Sequence, residues 1–407
     1  MQNYILTKRQ KGVKIQIVNA YKMTLCSDEL ISRRNMMELL NRKKTGKVER
    51  PVKVLQFGEG NFLRAFVDYM IDIANEQGKF NGDIVLVKPI EFGSLDRFHD
   101  QECQYTVQLR GIVDGEPKRI NRIVTSVADA VDAYGEYQKY ADYAKLDSLR
   151  YIVSNTTEAG IVYDDTDRLE MEPPKSYPGK LTKFLYERYK HFNGAMDKGL
   201  VMLPVELIDD NGIHLKECVE KLAVLWNLEE GFKTWLDEAC VFTSTLVDRI
   251  VTGYPRDEAE ELCKEFGYQD NLIVTGEPFA LWVIESAKDI SKEFPLPDAG
   301  LPVIFTDNQK PYKQRKVRIL NGAHTSFVLA SYLCGNDIVL ESMQDELIFN
   351  FMKATIFDEV IPTLTLPKQD LIDFAEAVIT RFNNPYVKHA LLSILFQNGA
   401  QDVCRVS

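Results

Sequence analysis

Val52-Lys53-Val54-Leu55-Gln56-Phe57-Gly58-Glu59-Gly60-Asn61-Phe62-Leu63-Arg64 joins two kinds of sequence through a pair of glycines. Val52 to Phe57 is a short β-rich run with apolar side chains. Ala65-Phe66-Val67-Asp68-Tyr69-Met70-Ile71-Asp72-Ile73-Ala74 follows, with apolar residues at helical spacing. Strand, glycine turn and helix form the context that a dinucleotide fingerprint requires. Gly58 permits the tight turn, and Gly60 lets the backbone approach a pyrophosphate. The free N–H groups and positive dipole end of the helix would then face the phosphates. Leu63 stands where the usual third glycine would be, so the motif alone is a weak signal.

Working outward, Asp83–Lys88 reads as the second strand of the same sheet, with later strands over Leu149–Ser154 and Gly199–Pro204. Apolar runs of this length between helical patterns predict a parallel sheet covered on both faces, the doubly wound α/β arrangement of a Rossmann-like fold. Ligands of such sheets bind beyond the carboxyl ends of the strands. That rule brings Asn155, Thr156 and Thr157 toward the cofactor, although the threonines can equally serve as a simple cap. Val241–Val251 is β-branched and reads as one more strand, with Asp248 and Arg249 as a possible ion pair near the site.

From about Asp298 the signals turn helical. Asp345–Phe357 and Gln369–Phe382 carry apolar residues three and four apart, separated by Pro362 and Pro367. The expected organisation is a basic extension over 1–47, a Rossmann-like cofactor domain over 48–294, and a mainly α-helical substrate domain over 295–407. Within the last lies Lys316-Val317-Arg318-Ile319-Leu320-Asn321-Gly322-Ala323-His324. A partly desolvated lysine can exchange a proton near neutral pH. Asn321 and His324 share a helix face. Lysine, carboxamide and imidazole converging on one carbonyl oxygen suit reduction of a ketone. The same segment also reads as a helix with a surface lysine and a core histidine.

The two motifs in this order resemble the polyol-specific long-chain dehydrogenases, the mannitol dehydrogenase family. That family shows G-x-G-x-F-x-R at the glycine turn, here Gly58, Gly60, Phe62 and Arg64, and K-x4-N-x2-H later, here Lys316, Asn321 and His324. Ser154–Ile161, Ser244–Pro255, Ile319–Thr325 and Asn384–His389 add to the likeness, which covers roughly residues 48–395. Leu63 departs from the G-x-G-x-F-H-R of members acting on mannitol or fructuronate, and the words are most similar to the branch that reduces tagaturonate. The resemblance implies NAD as cofactor, bound by Gln56, Phe57, Gly58, Glu59, Gly60, Asn61, Phe62, Leu63, Arg64, Asn155 and Thr156. It implies hydride transfer to the keto carbon of an open-chain keto sugar acid, D-tagaturonate giving D-altronate, in hexuronate catabolism. Lys316 would act as acid and base, with Asn321 and His324 holding the oxygen. Fructuronate or a neutral polyol is the alternative substrate, and an inactive cofactor-binding remnant the alternative from outside enzymes.

Two positions depart from expectation. The acidic residue that takes the ribose hydroxyls should end the second strand, but Lys88 comes first and Glu91 three residues later. Lys88 could favour the extra phosphate of NADP, and Glu91 could still serve NAD. A second asparagine expected to help bind the reacting oxygen falls near Glu206 and Leu207. The substrate carboxylate needs a cation, for which Arg249, Lys313, Arg315 and Lys388 are candidates.

Composition narrows the class. The chain has 407 residues, enough for two domains. Its net charge of −11 is uneven: residues 1–50 hold twelve Lys/Arg against four Asp/Glu, leaving −19 on the rest. An acidic body argues against a nucleic-acid partner. No apolar run approaches the length that spans a bilayer. Seven scattered cysteines without a C-x-x-C pair fit a reducing cytoplasm, with Cys103, Cys218, Cys240, Cys263 and Cys334 acting as small hydrophobes. Five isolated histidines show no metal-ligand spacing. Oligomeric state leaves no signal. Both ends read as atypical: Met36 or Met37 would make a natural start, and the likeness fails after about Ile394. The residues from about 395 then suggest a frameshifted tail on a C-terminally truncated helical domain.

Overall fold

The computed structural model describes residues 37–157 and 159–395. The expectations for residues 1–36, Met36 as a start among them, and for the tail beyond 395 therefore lie outside the described residues. Its main sheet has six strands in the order β5-β2-β1-β6-β7-β8. These are β1 (Val52–Phe57), β2 (Asp83–Lys88), β5 (Val127–Asp132), β6 (Tyr151–Ser154), β7 (Val201–Pro204) and β8 (Val241–Phe242), and every neighbouring pair is parallel. Alternating side chains serve two separate cores. Val54 and Val153 face a layer built on Phe66, Met70, Trp282 and Phe294, whereas Leu55 and Ile152 face one built on Leu181, Phe184 and Trp235. Both faces are covered, which is why these strands are apolar throughout rather than alternating.

Two smaller sheets lie beside the first. Strands β3 (Tyr105–Val113) and β4 (Glu116–Val124) form a hairpin whose Asp114-Gly115 turn has positive φ at both residues, and they join β11 (Val274–Gly276) and β10 (Val251–Gly253). Strands β9 (Ser244–Asp248), β12 (Leu281–Glu285) and β13 (Val303–Thr306) make the third. The single strand expected over Val241–Val251 is thus three pieces in three sheets. Thr243, which separates β8 from β9, hydrogen-bonds through both its backbone N–H and its hydroxyl to the Met202 carbonyl.

Two boundaries also shift. Residues 37–47 pack onto the cofactor domain: Leu40 is fully buried, and Lys47 makes a 2.6 Å ion pair with Asp83. The helical portion begins at Lys310 rather than near residue 298, because the β-branched and aromatic run Val303–Thr306 still pairs with β12. Its helices Gly322–Leu333, Glu346–Ala354 and Lys368–Phe382 bury Ile319, Phe327, Met352, Phe374 and Val378 together with Leu281 and Val283 of β12. That contact fixes the helical layer against the sheets and leaves a cleft between them.

Candidate active site

Strand order reverses between β1 and β6, and the loops after these strands border a crevice lined by Gly58, Glu59, Gly60, Pro89, Ile90, Asn155, Thr156 and neighbours. This is the switch-point position at which doubly wound sheets bind ligands. Gly58 has φ +122, and a Cβ there would come within 3.0 Å of Leu63 Cδ1 and 3.3 Å of the Asn155 carbonyl oxygen. Only glycine fits. At Gly60 a Cβ would meet nothing within 4 Å, so space above the helix N-terminus is open, as a phosphate group would need. The helix runs Asn61–Leu63, widens into a π-helical turn over Arg64–Asp68, and continues as Tyr69–Glu76.

The expectation that the whole stretch from Gln56 to Arg64 touches a cofactor divides here. Gly58, Glu59 and Gly60 line the crevice, and Phe62 lines the adjoining cleft. Gln56, Phe57, Leu63 and Arg64 lie buried beneath it. Arg64 braces the turn from below, donating to the Glu59 carbonyl at 3.2 Å, the Leu272 carbonyl at 2.5 Å and Asn61 Oδ1 at 2.7 Å. Asn155 lines both crevice and cleft and marks their junction. The Thr156 backbone N–H and hydroxyl both donate to Glu206 Oε1 at 3.0 Å, and Ser154 Oγ donates to Glu206 Oε2 at 3.1 Å. Glu206 is therefore a buried brace for the β6 loop, its carboxyl pushed above the ordinary range by burial. Leu207, beside it, is exposed and lines the cleft with its apolar side chain.

Lys88 does not offer its charge to the crevice. It is buried, pairs with Asp132 at 3.0 Å, and donates to the carbonyls of Glu91, Phe92 and Gly93. A 2′-phosphate would have to displace these partners.

Lys316, Asn321 and His324 all line the cleft, with Phe62, Val247, Asp248, Leu320, Arg381 and His389. Their convergence depends on an irregular helix. Residues five apart on an α-helix lie about 140° apart around the axis, which would separate Lys316 from Asn321. Here Lys316–Asn321 is a π-helical turn between the helices Lys310–Arg315 and Gly322–Leu333, and its wider winding turns both side chains toward one cavity.

Lys316 Nζ donates to the Val247 carbonyl at 2.9 Å. Burial holds its pKa below the usual lysine range, an effect opposed by Asp248 and aided by Arg381. His324 stacks on Phe382 at 4.5 Å, and its Nε2 is buried with no hydrogen-bond partner among the described residues. Burial, with His389 and Arg381 nearby, pushes its pKa down to about 3, so the ring is neutral at physiological pH. A buried polar atom without a partner is costly unless a ligand supplies one.

Asp248 does not pair with Arg249. Its carboxylate takes both Nη atoms of Arg381, at 2.9 and 3.1 Å, and Arg381 also binds Glu277 at 2.8 and 2.9 Å. Arg249 instead donates to the carbonyls of Ala65, Pro278 and Phe279. Sequence reading missed Arg381. The available signal was a charged residue on the apolar face of the helix Lys368–Phe382, beside Val378 and Phe382. Among the described residues no group of three or more His, Cys, Asp or Glu is placed to hold a metal, and no helix is long and apolar enough to cross a membrane.

Comparison with known proteins places this architecture. Residues 52–297 match the mannitol dehydrogenase Rossmann domain and residues 308–401 the mannitol dehydrogenase C-terminal domain. An altronate oxidoreductase of Bacteroides thetaiotaomicron is 45% identical over 362 residues, 89% of this chain and 76% of the relative. One from Pectobacterium atrosepticum is 48% identical over 359 residues, 88% of this chain and 74% of the relative. Among solved structures, Pseudomonas fluorescens mannitol 2-dehydrogenase, in ternary complex with NAD and D-mannitol, shares the fold with TM-score 0.69 at 23% identity, covering 88% of this chain and 76% of its own. A D-sorbitol dehydrogenase superposes with TM-score 0.74 at 22% identity, covering 88% and 77%. With the glycine crevice, the helical layer and identity near one half over most of its length, the chain belongs to the mannitol dehydrogenase family.

Proposed function

We propose that this chain is an NAD-dependent oxidoreductase that reduces D-tagaturonate to D-altronate. One observation carries the reading: Lys316, Asn321 and His324 share a cleft that meets the glycine crevice at Asn155. A bound nicotinamide cofactor supplies the hydride. Support for NAD over NADP comes from Lys88, whose ammonium is engaged by Asp132 and three carbonyls. The altronate oxidoreductases similar over most of the chain supply the substrate.

In this reading Lys316 gives a proton to the carbonyl oxygen as that atom gains charge, and recovers it from solvent. Its pKa, lowered by burial, suits a group that must both hold and release a proton. Asn321 and the neutral His324 hold the same oxygen through side-chain N–H groups, an interaction typically worth about 3 kcal/mol per donor. Cys103, Cys218, Cys240 and Cys263 are free and buried, which suits a reducing cytoplasm. The test is NADH consumption by the purified chain with D-tagaturonate, with NADPH and D-fructuronate run beside it. Rapid turnover selective for NADH and tagaturonate is expected; turnover on fructuronate alone overturns the substrate, and NADPH selectivity overturns the cofactor.

A further inference from the structure

We propose that His389 receives the carboxylate of the sugar acid in the cleft, and so sets the preference for charged over neutral substrates. The inference rests on the proposed function, because it concerns the far end of that substrate.

The cations expected to do this are engaged or misplaced. Arg249 is held by three backbone carbonyls, and Arg381 by two carboxylates. Lys313 pairs with Asp209 and does not line the cleft. Arg315 is buried against Phe374, 4.5 Å from the ring centre, and Lys388 is exposed outside the cavity. Lys316 belongs to the carbonyl end. His389 remains: it lines the cleft, is partly buried, and its ring makes no hydrogen bond among the described residues.

Its position suits the substrate's dimensions. In an open-chain hexulosonate whose ketone neighbours the terminal hydroxymethyl group, four bonds separate carbonyl carbon and carboxylate carbon. At about 1.2 Å of advance per bond that is roughly 5 Å. The His389 ring lies edge-on to His324, with centroids 5.4 Å apart. An oxygen held at His324 therefore leaves the carboxylate within reach of His389.

The electrostatics agree. Burial lowers the pKa of His389, which favours a neutral ring before substrate arrives. The other charged or titratable groups lining the cleft are His324, Lys316, Arg249 and the Asp248–Arg381 pair. On the adjoining helix Val339–Gln344, Glu341 is occupied by the Asp337 and Ile338 N–H groups. An incoming carboxylate favours the charged imidazole, so binding of the acid takes up a proton.

The experiment compares wild type with H389Q, which keeps a donor of similar reach but cannot become a cation. D-Altronate and its neutral counterpart D-altritol are titrated calorimetrically into each NAD-loaded protein, in two buffers of different ionisation enthalpy. The expected result is roughly tenfold weaker altronate binding by H389Q, unchanged altritol binding, and loss of the proton uptake seen with wild type. Equal altronate affinity in the two proteins overturns the inference. So does an equal loss for both ligands, which would mean that His389 only shapes the cleft. A wild type that neither binds altronate nor reduces tagaturonate overturns the proposed function itself.

Discussion

Beside the crevice around Gly58, Arg64, Lys88 and Glu206 turn inward, whereas in the cleft around Lys316 several polar groups keep hydrogen-bonding capacity to spare. Arg64, Lys88 and Glu206 all stand next to the crevice, and each is consumed in holding a loop. What the crevice presents around Gly58 is a glycine at positive φ and an open helix N-terminus, with Glu59, Asp164, Asp165 and Lys175 also in its lining. The cleft presents His324 Nε2 and the His389 ring, neither with a hydrogen-bond partner among the described residues, and an Asn321 side chain. A nucleotide is common to many enzymes and can be met by geometry alone; a particular substrate needs donors held in reserve.

The sharpest way to break this contrast is Lys316→Ala. Turnover should fall by at least about a thousandfold, as for loss of a general acid, while NADH binding measured by fluorescence stays near wild type. Loss of both would show that the lysine holds the two layers together instead. Next in size is His324→Ala, expected to lower kcat by roughly a hundredfold through loss of one oxygen donor. Because the pKa of His324 is pushed down to about 3, no limb of the pH–rate profile between pH 5 and 9 should disappear in that variant. Lys316 should supply the remaining limb. Ketone reduction needs its protonated form and so falls as pH rises through its lowered pKa, while alcohol oxidation rises over the same interval. A reduction rate that climbs with pH would contradict this role.

Lys88→Met probes the crevice side, with the smallest effect on chemistry. It leaves Asp132 and three carbonyls without their ammonium, which should cost about 2–4 kcal/mol of stability, visible as a lower Tm. The NADH-to-NADPH preference should not move. A shift of that ratio would mean that Lys88 does reach the cofactor.

Much of this could be read from the chain because it rests on local pattern. Val52–Phe57, the two glycines and the apolar spacing that follows specify strand, turn and helix within twenty-five residues, and the parallel sheet follows from similar runs at Asp83–Lys88 and Val201–Pro204. Lys316, Asn321 and His324 were legible because they lie close together. The Arg381–Asp248–Glu277 cluster was not, since its members are more than a hundred residues apart from Arg381 and only the fold unites them. The destination of a charge was equally hidden. Arg249 looks available in sequence, but its partners are carbonyl groups, as are three of the four partners of Lys88, and carbonyls are groups that every residue possesses and no residue type announces.

The wide turn over Lys316–Asn321 has a consequence for how such a protein can vary. The five-residue spacing between Lys316 and Asn321 depends on the wider winding there, because on a regular α-helix side chains five apart face different ways. A single-codon insertion between Val317 and Ile319 would swing Asn321 and His324 away from Lys316 together, whereas a single-codon deletion there would let the segment close into a regular α-helix on which residues four apart still share a face. Natural variation and engineering alike are therefore freer to exchange side chains in this segment than to lengthen it.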